Sequence, residues 1–243
     1  MAQYDTIRSV GVGAGVRIDE GLRAHMNKVY GLMSVAMLVT AGVAWAVGTS
    51  EQLMSLFRTE NGMTILGWVA MFAPLAMVFA FGALINRMSA AAAQLFFYVF
   101  AAAMGLSLAW IFMAFTQTSI ATTFLATSAG FAGLSLYGYT TKRDLSGLGR
   151  FLMIGLIGLV VAMLVNMFLG SSGLAFAISV IGVLIFAGLT AYDTQTIKNN
   201  YIEHAQAMDQ EWLAKSAIMG ALNLYMDFIN LFMFLLQFMG NRE

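Results

Sequence analysis

Seven apolar stretches alternate with short polar connections along the chain, at residues 28–49, 63–86, 90–115, 120–140, 149–169, 174–197 and 213–239. Each is about 20 residues or longer, enough for an α-helix to cross a hydrocarbon core of roughly 30 Å. In hydrocarbon a backbone must satisfy its own polar groups, so runs of this length read as helices. The pattern predicts an all-α polytopic membrane protein: one seven-helix transmembrane domain over residues 28–243, preceded by a flexible leader over residues 1–27. That leader is too polar for the apolar core of a signal peptide. Its "GVGAG" looks like part of a phosphate loop, but no strand precedes it and no lysine-serine or lysine-threonine pair follows, so it reads as linker.

Composition agrees with the pattern: 60% of residues are hydrophobic and 10% charged, far from the balance of a soluble domain. Net charge is zero and no long basic block occurs, so nucleic acid is not expected as a partner. The absence of cysteine excludes disulfides, thiolate chemistry and cysteine metal sites. His25 and His204 lie in polar segments and read as solvated surface residues. Methionine and phenylalanine, 19 of each, read as filling between helices and towards lipid, without chemistry. Pro74 falls inside the second stretch, where packing is expected to tolerate it. Ala101, Gly105 and Ala109 repeat every four residues and predict a close-packing face on the third.

Lysine and arginine orient the bundle. Arg8, Arg17, Arg23 and Lys28 precede the first stretch, Arg87 separates the second from the third, and Lys142, Arg143 and Arg150 lie between the fourth and fifth, with Asp144 among them. Lys198 and Lys215 flank the connection from sixth to seventh, on the same side. The other side holds only Arg58 and Arg242. The N-terminus is therefore expected in the cytoplasm and, if the last stretch crosses completely, the C-terminus outside.

Against this background two acids stand apart. Asp193 is the sole charge between Arg150 and Lys198, and Asp227 the sole charge between Lys215 and Arg242. An aspartate at a helix centre costs roughly 2.5–3.5 kcal/mol on insertion scales, so each should face the bundle interior or water. Asn223, Asp227 and Asn230 fall on one face of the last helix and Gln237 extends it; Ser179, Thr190 and Asp193 share a face of the sixth, with Thr194 beside it. Lipid would penalise the amides, so the last helix is predicted to be central. Counted from the helix ends, the two acids differ in depth by roughly 10 Å, a gap that tilt could close. If they meet, both cannot ionise easily, so the pair would share one proton, and its loss would drive the helices apart. The competing expectation is a pair of interhelical clamps.

"GLTAYDTQTIK", preceded by "LYGYTTKRDLS" and followed by "LYMDFINLF", resembles the Bax inhibitor-1 family (the TMBIM or lifeguard group), its bacterial branch in particular. The resemblance covers almost the whole chain from the first span. It implies a seven-helix fold with a central last helix, residence in the bacterial inner membrane, and a pH-sensitive calcium leak; eukaryotic members suppress cell death. The family's paired aspartates match Asp193 and Asp227, which it implies are a proton-controlled latch beside a cation path. One departure is that some relatives carry an acid in the second helix, where this chain has none between Glu60 and Asp144. The connection from six to seven, "NNYIEHAQAMDQEWLAK", is also long, and its Glu203, Asp209 and Glu211 read as solvated.

Two function classes follow. In the first the chain is a calcium-leak channel: calcium, the permeant ion rather than a resident cofactor, is held weakly at Asp193 and Asp227, with Asn223, Asn230, Thr190 and Thr194 as supporting polar groups. Calcium takes six to eight oxygens, and so few fixed ligands suit passage rather than tight binding. Its partners are then the bilayer, calcium ions and protons, with Arg87, Lys142, Arg143 and Asp144 as charges at the cytoplasmic end. In the second the chain is a non-conducting regulator of another membrane protein, such as a quality-control protease. No enzymatic activity is expected: "AYD" matches half the signature of an intramembrane aspartic protease, but the Gly-x-Gly-Asp half is missing. A retinal protein is excluded too, since the last span has no lysine for a Schiff base.

Overall fold

A computed structural model of the chain describes residues 2–60, 62–204, 207 and 209–241, with side chains from Glu20 onward. In chain order the helices are α1 (Ala2–Gly48), α2 (Glu51–Phe57), α3 (Ile65–Leu84), α4 (Ala90–Leu108), α5 (Ile111–Ala114), α6 (Gln117–Thr140), α7 (Ser146–Leu169), α8 (Ser172–His204) and α9 (Gln210–Met239). A short antiparallel ribbon, β1 (Arg58–Thr59) with β2 (Gly62–Met63), joins α2 to α3. Among the described residues, seven segments are long and apolar enough to span a membrane: Glu20–Gly48, Ile65–Arg87, Ala90–Ala114, Gln117–Thr140, Ser146–Leu169, Ser172–His204 and Gln210–Met239. The protein is an all-α polytopic membrane protein, as the hydrophobic pattern predicts.

The polar connections supply helix caps. Thr64, Ser89, Thr116 and Asp209 each accept a hydrogen bond from a backbone N–H in the first turn of α3, α4, α6 and α9, satisfying donors that have no partner within the helix. Gly170, in the left-handed region at φ 60°, closes α7. α3 passes through Pro74 as one helix, with the proline buried.

Two boundaries differ from expectation. α1 is already helical before residue 28, and among its described side chains Leu22, Met26, Val29, Met33 and Ala36 form one buried stripe at helical spacing. His25 lies on that side and is buried, its ring 4.8 Å from that of Tyr201; the expectation of a solvated histidine is corrected. Of the expected leader, the side chains of residues 1–19, "GVGAG" included, lie outside those described. The sixth span continues to His204, and the long connection contracts to residues 205–209, because Asn199 to His204 extend α8 towards α1.

α9 is the central element. Of its most apolar stretch 67% is buried, against 11% for α7, and it packs on α8, α1, α6 and α4. The small face of α4 meets α1 as expected: a side chain on Gly105 would run into the Thr40 carbonyl and Val43, and the Thr40 hydroxyl donates to the Ala101 carbonyl at 2.8 Å. Arg87, Lys142, Arg143, Lys198 and Lys215 gather where α3, α6 and α8 finish and α4, α7 and α9 begin, which defines a basic end. At the opposite end Thr116 N–H donates to the Asn241 carbonyl just beyond α9, at 3.2 Å. The last helix therefore runs the full height of the bundle.

Candidate functional site

α8 and α9 are antiparallel neighbours. Gly182 abuts the ring of Phe234 and Gly220 abuts Ile197, a register that puts Asp193 level with Asn223 and Asp227 one turn deeper. Side chains tilt towards the N-terminus of their own helix. Asp193 on α8 therefore leans away from the basic end and Asp227 on α9 leans towards it, which closes the depth difference. Their carboxyl groups approach each other across the α8–α9 contact. A carboxylate only accepts, so a hydrogen bond between two carboxyl groups requires a proton on one of them.

The two acids have different surroundings. Asp227 is 4% exposed, and among the described residues its Oδ2 has no hydrogen-bond partner. Asp193 is half-buried and lines a cavity of about 250 Å³ with Asn86, Thr196, Asn200, Lys215 and Asn223. Those residues come from the 3-10 turn Ile85–Arg87 that follows α3 and from the basic-end halves of α8 and α9, so the cavity lies on the basic side of Asp193. Lys215 also pairs with Glu211 at 3.4 Å. Past the acids towards the opposite end come aromatic contacts of α9: Phe124 and Phe131 each stand edge-on to Phe228 at 5.5 Å, and Phe186 stacks on Phe234. Polar space thus gives way to apolar rings at the carboxyl pair.

The other candidates fall in several places. Asn223 is exposed within the cavity. Thr190 and Thr194 are fully buried; their hydroxyls donate to the carbonyls of Phe186 and Thr190, at 2.8 Å each. Asn230 is half-buried and donates to the Met226 carbonyl at 2.8 Å. Neither threonine nor Asn230 lines the cavity beside Asp193. Arg87, Lys142, Arg143 and Asp144 are exposed at the basic end. Asp144 accepts from the Ser146 N–H at 2.8 Å, and its bonds from Ser146 hold its carboxyl below the usual carboxylate range. Among the described residues no cluster of three or more acids or histidines could hold a metal ion.

Sequence reasoning missed the polar residues that tie α8 to its surroundings. Gln195 accepts from the Leu145 N–H and donates to the Arg143 carbonyl, both at 2.8 Å, clamping the connection before α7. Lys198 donates to the Tyr139 carbonyl at 2.7 Å, in the last turn of α6. Thr194 touches Ser135 at 2.8 Å, and Ser135 touches the Tyr30 hydroxyl at 2.9 Å, linking α8, α6 and α1. The signal lay inside "YDTQTIK": its polar positions face three different neighbours. A further pair, Thr40 with Tyr225 at 2.6 Å, joins α1 to α9 and left no mark on the polar pattern.

Comparison with known proteins places this arrangement. The family described as inhibitor of apoptosis-promoting Bax1 matches residues 22–243. The inner membrane protein YbhL of Escherichia coli K12 is 47% identical over 223 residues, 92% of this chain and 94% of that protein. A Rickettsia prowazekii protein, RP147, is 46% identical over 225 residues, 93% and 92% of the two chains. A membrane protein of Streptococcus pyogenes is 37% identical over 228 residues, 93% and 96%.

Proposed function

The chain belongs to the Bax inhibitor-1 family, and on that premise we propose that it is a pH-sensitive calcium-leak channel gated by the proton shared between Asp193 and Asp227. The observation that supports the reading is the approach of two carboxyl groups, Asp193 and Asp227, at the inner limit of a polar cavity. With the proton present, a hydrogen bond between them ties α8 to α9 and the rings below stay packed. When it leaves, two like charges face each other where little water screens them, and they repel. Separation leaves two carboxylates, Asn223 and water as oxygen ligands for calcium, a set too sparse to hold the ion for long. The positive-inside rule puts the basic end, and the cavity with it, in the cytoplasm. The E. coli relative is named an inner membrane protein, in keeping with residence in the bacterial plasma membrane.

Calcium flux into vesicles holding the full chain, measured over a pH series, tests this. Flux should fall as pH drops, and Asp193→Asn should abolish the dependence. Flux indifferent to both pH and the substitution leaves the carboxyl pair as a helix clamp in a non-conducting regulator of other membrane proteins.

A further inference from the structure

The gap between α1 and α6 is separate from the cavity beside Asp193. α1 packs on α4, α8 and α9, and α6 on α8 and α9, leaving two adjoining cavities between α1 and α6. One, of about 780 Å³, starts at Arg23 and Asn27 near the basic end and runs past Tyr30 and Ser34 to Met37. The other, of about 480 Å³, continues to Trp45 between apolar walls. They share Met37 and, as a floor from α9, Phe228. From Arg23 to Trp45 the helix rises roughly 33 Å, about the hydrocarbon thickness.

The groove is graded in chemistry. Its basic-end mouth offers a guanidinium, an amide and hydroxyls, while its far part is walled by Ala44, Phe124 and Phe232. Water has too few polar partners to occupy the apolar part. Arg23 is exposed and forms no ion pair among the described residues. A guanidinium at the membrane surface engages a phosphodiester through two parallel hydrogen bonds, and a headgroup without an ammonium sets no like charge against it. A chain from one leaflet covers about half the roughly 30 Å core, so one headed at Arg23 ends near Met37. We propose that the α1–α6 groove binds a membrane phospholipid with an anionic headgroup, its phosphate on Arg23 and Asn27 and one acyl chain laid between Tyr30, Ser34 and the α6 wall onto Phe228. The site does not depend on the ion reading above.

Native mass spectrometry of the full chain in detergent, titrated with equal amounts of phosphatidylglycerol and phosphatidylethanolamine bearing the same chains, tests it. The protein should retain phosphatidylglycerol about tenfold better. Arg23→Gln should remove that preference, whereas Lys28→Gln, an exposed cation outside the groove, should keep it. Ala132→Trp and, independently, Ser34→Trp place a ring in the groove from its two walls and should lower retention of both lipids severalfold in variants that remain monodisperse. Equal retention of the two lipids, or a preference that survives Arg23→Gln, overturns the headgroup assignment. Retention unchanged in a monodisperse tryptophan variant overturns the groove.

Discussion

The Thr40 hydroxyl donates to the Ala101 carbonyl, and the Tyr225 hydroxyl, fully buried, lies 2.6 Å from it. With Thr40 already donating to the carbonyl, Tyr225 has to be the donor of the second bond. Losing one partner of such a pair costs more than losing the group itself, because the survivor stays desolvated. Thr40→Val should therefore lower stability by about 1–3 kcal/mol, and Tyr225→Phe by only about 1 kcal/mol, since Thr40 keeps Ala101. Thermal unfolding of both variants in detergent checks the order; equal losses would contradict the donor assignment. Asp193 and Asp227 obey the same logic with a proton added. In Asp193→Asn the amide donates to Asp227 without needing one, so the helices stay tied at every pH. Flux at alkaline pH should then fall to the level seen in acid. These acids were legible in the sequence because each is a lone charge in an apolar run, whereas Thr40 and Tyr225 are residues that an apolar helix carries without remark. Only the packing of α1 on α9 shows that they are a pair.

α8 is the element through which the site reaches the rest of the bundle. Within two turns it presents Asp193 to α9, Thr194 to α6, Gln195 to the connection before α7 and Lys198 to the last turn of α6. A side chain on Gly138 would strike the Ala191 carbonyl, so α6 and α8 approach almost backbone to backbone beside the acids. Gln195→Ala would strip the partners from the Leu145 N–H and the Arg143 carbonyl, and Leu145 is buried. The expected result is a loss of about 1–3 kcal/mol with faster hydrogen exchange confined to residues 143–146. Gln195→Glu keeps the acceptor for Leu145 and should restore protection there while leaving Arg143 free. The elements themselves were largely visible beforehand, since hydropathy counts residues that meet lipid. It ended the sixth stretch at 197 and began the first at 28 because Asn199, Asn200, Arg23 and Lys28 are polar, yet both helices continue. Outside the hydrocarbon a helix needs only one buried stripe, and Leu22, Met26 and Tyr201 supply it.

At the scale of the molecule, the asymmetry between the two ends makes the proposed gate sided. α9 runs the full height of the bundle, which puts its two ends at opposite ends of the transmembrane domain, and the cavity beside Asp193 lies towards the basic one. Because the chain lacks cysteine, single substitutions read this topology without background: Lys142→Cys should be labelled by an impermeant maleimide only from the cytoplasmic face, and Glu51→Cys only from the other. The same geometry decides which pH matters. A proton entering from the basic end passes Asn86, Asn200 and Asn223 to Asp193, whereas one from the far end meets the apolar rings of Phe228, Phe232 and Phe234, which offer it no polar relay. In the proposed latch, protonation would close the gate by tying the acids together and deprotonation would open it through repulsion, so flux should rise with pH. In oriented vesicles, acidifying the compartment facing Lys142 should therefore halt calcium flux, and acidifying only the compartment facing Glu51 should leave it running. A leak that answers equally to both sides would require a proton path through the aromatic layer, and the latch would then have to lie elsewhere than at the inner limit of this cavity.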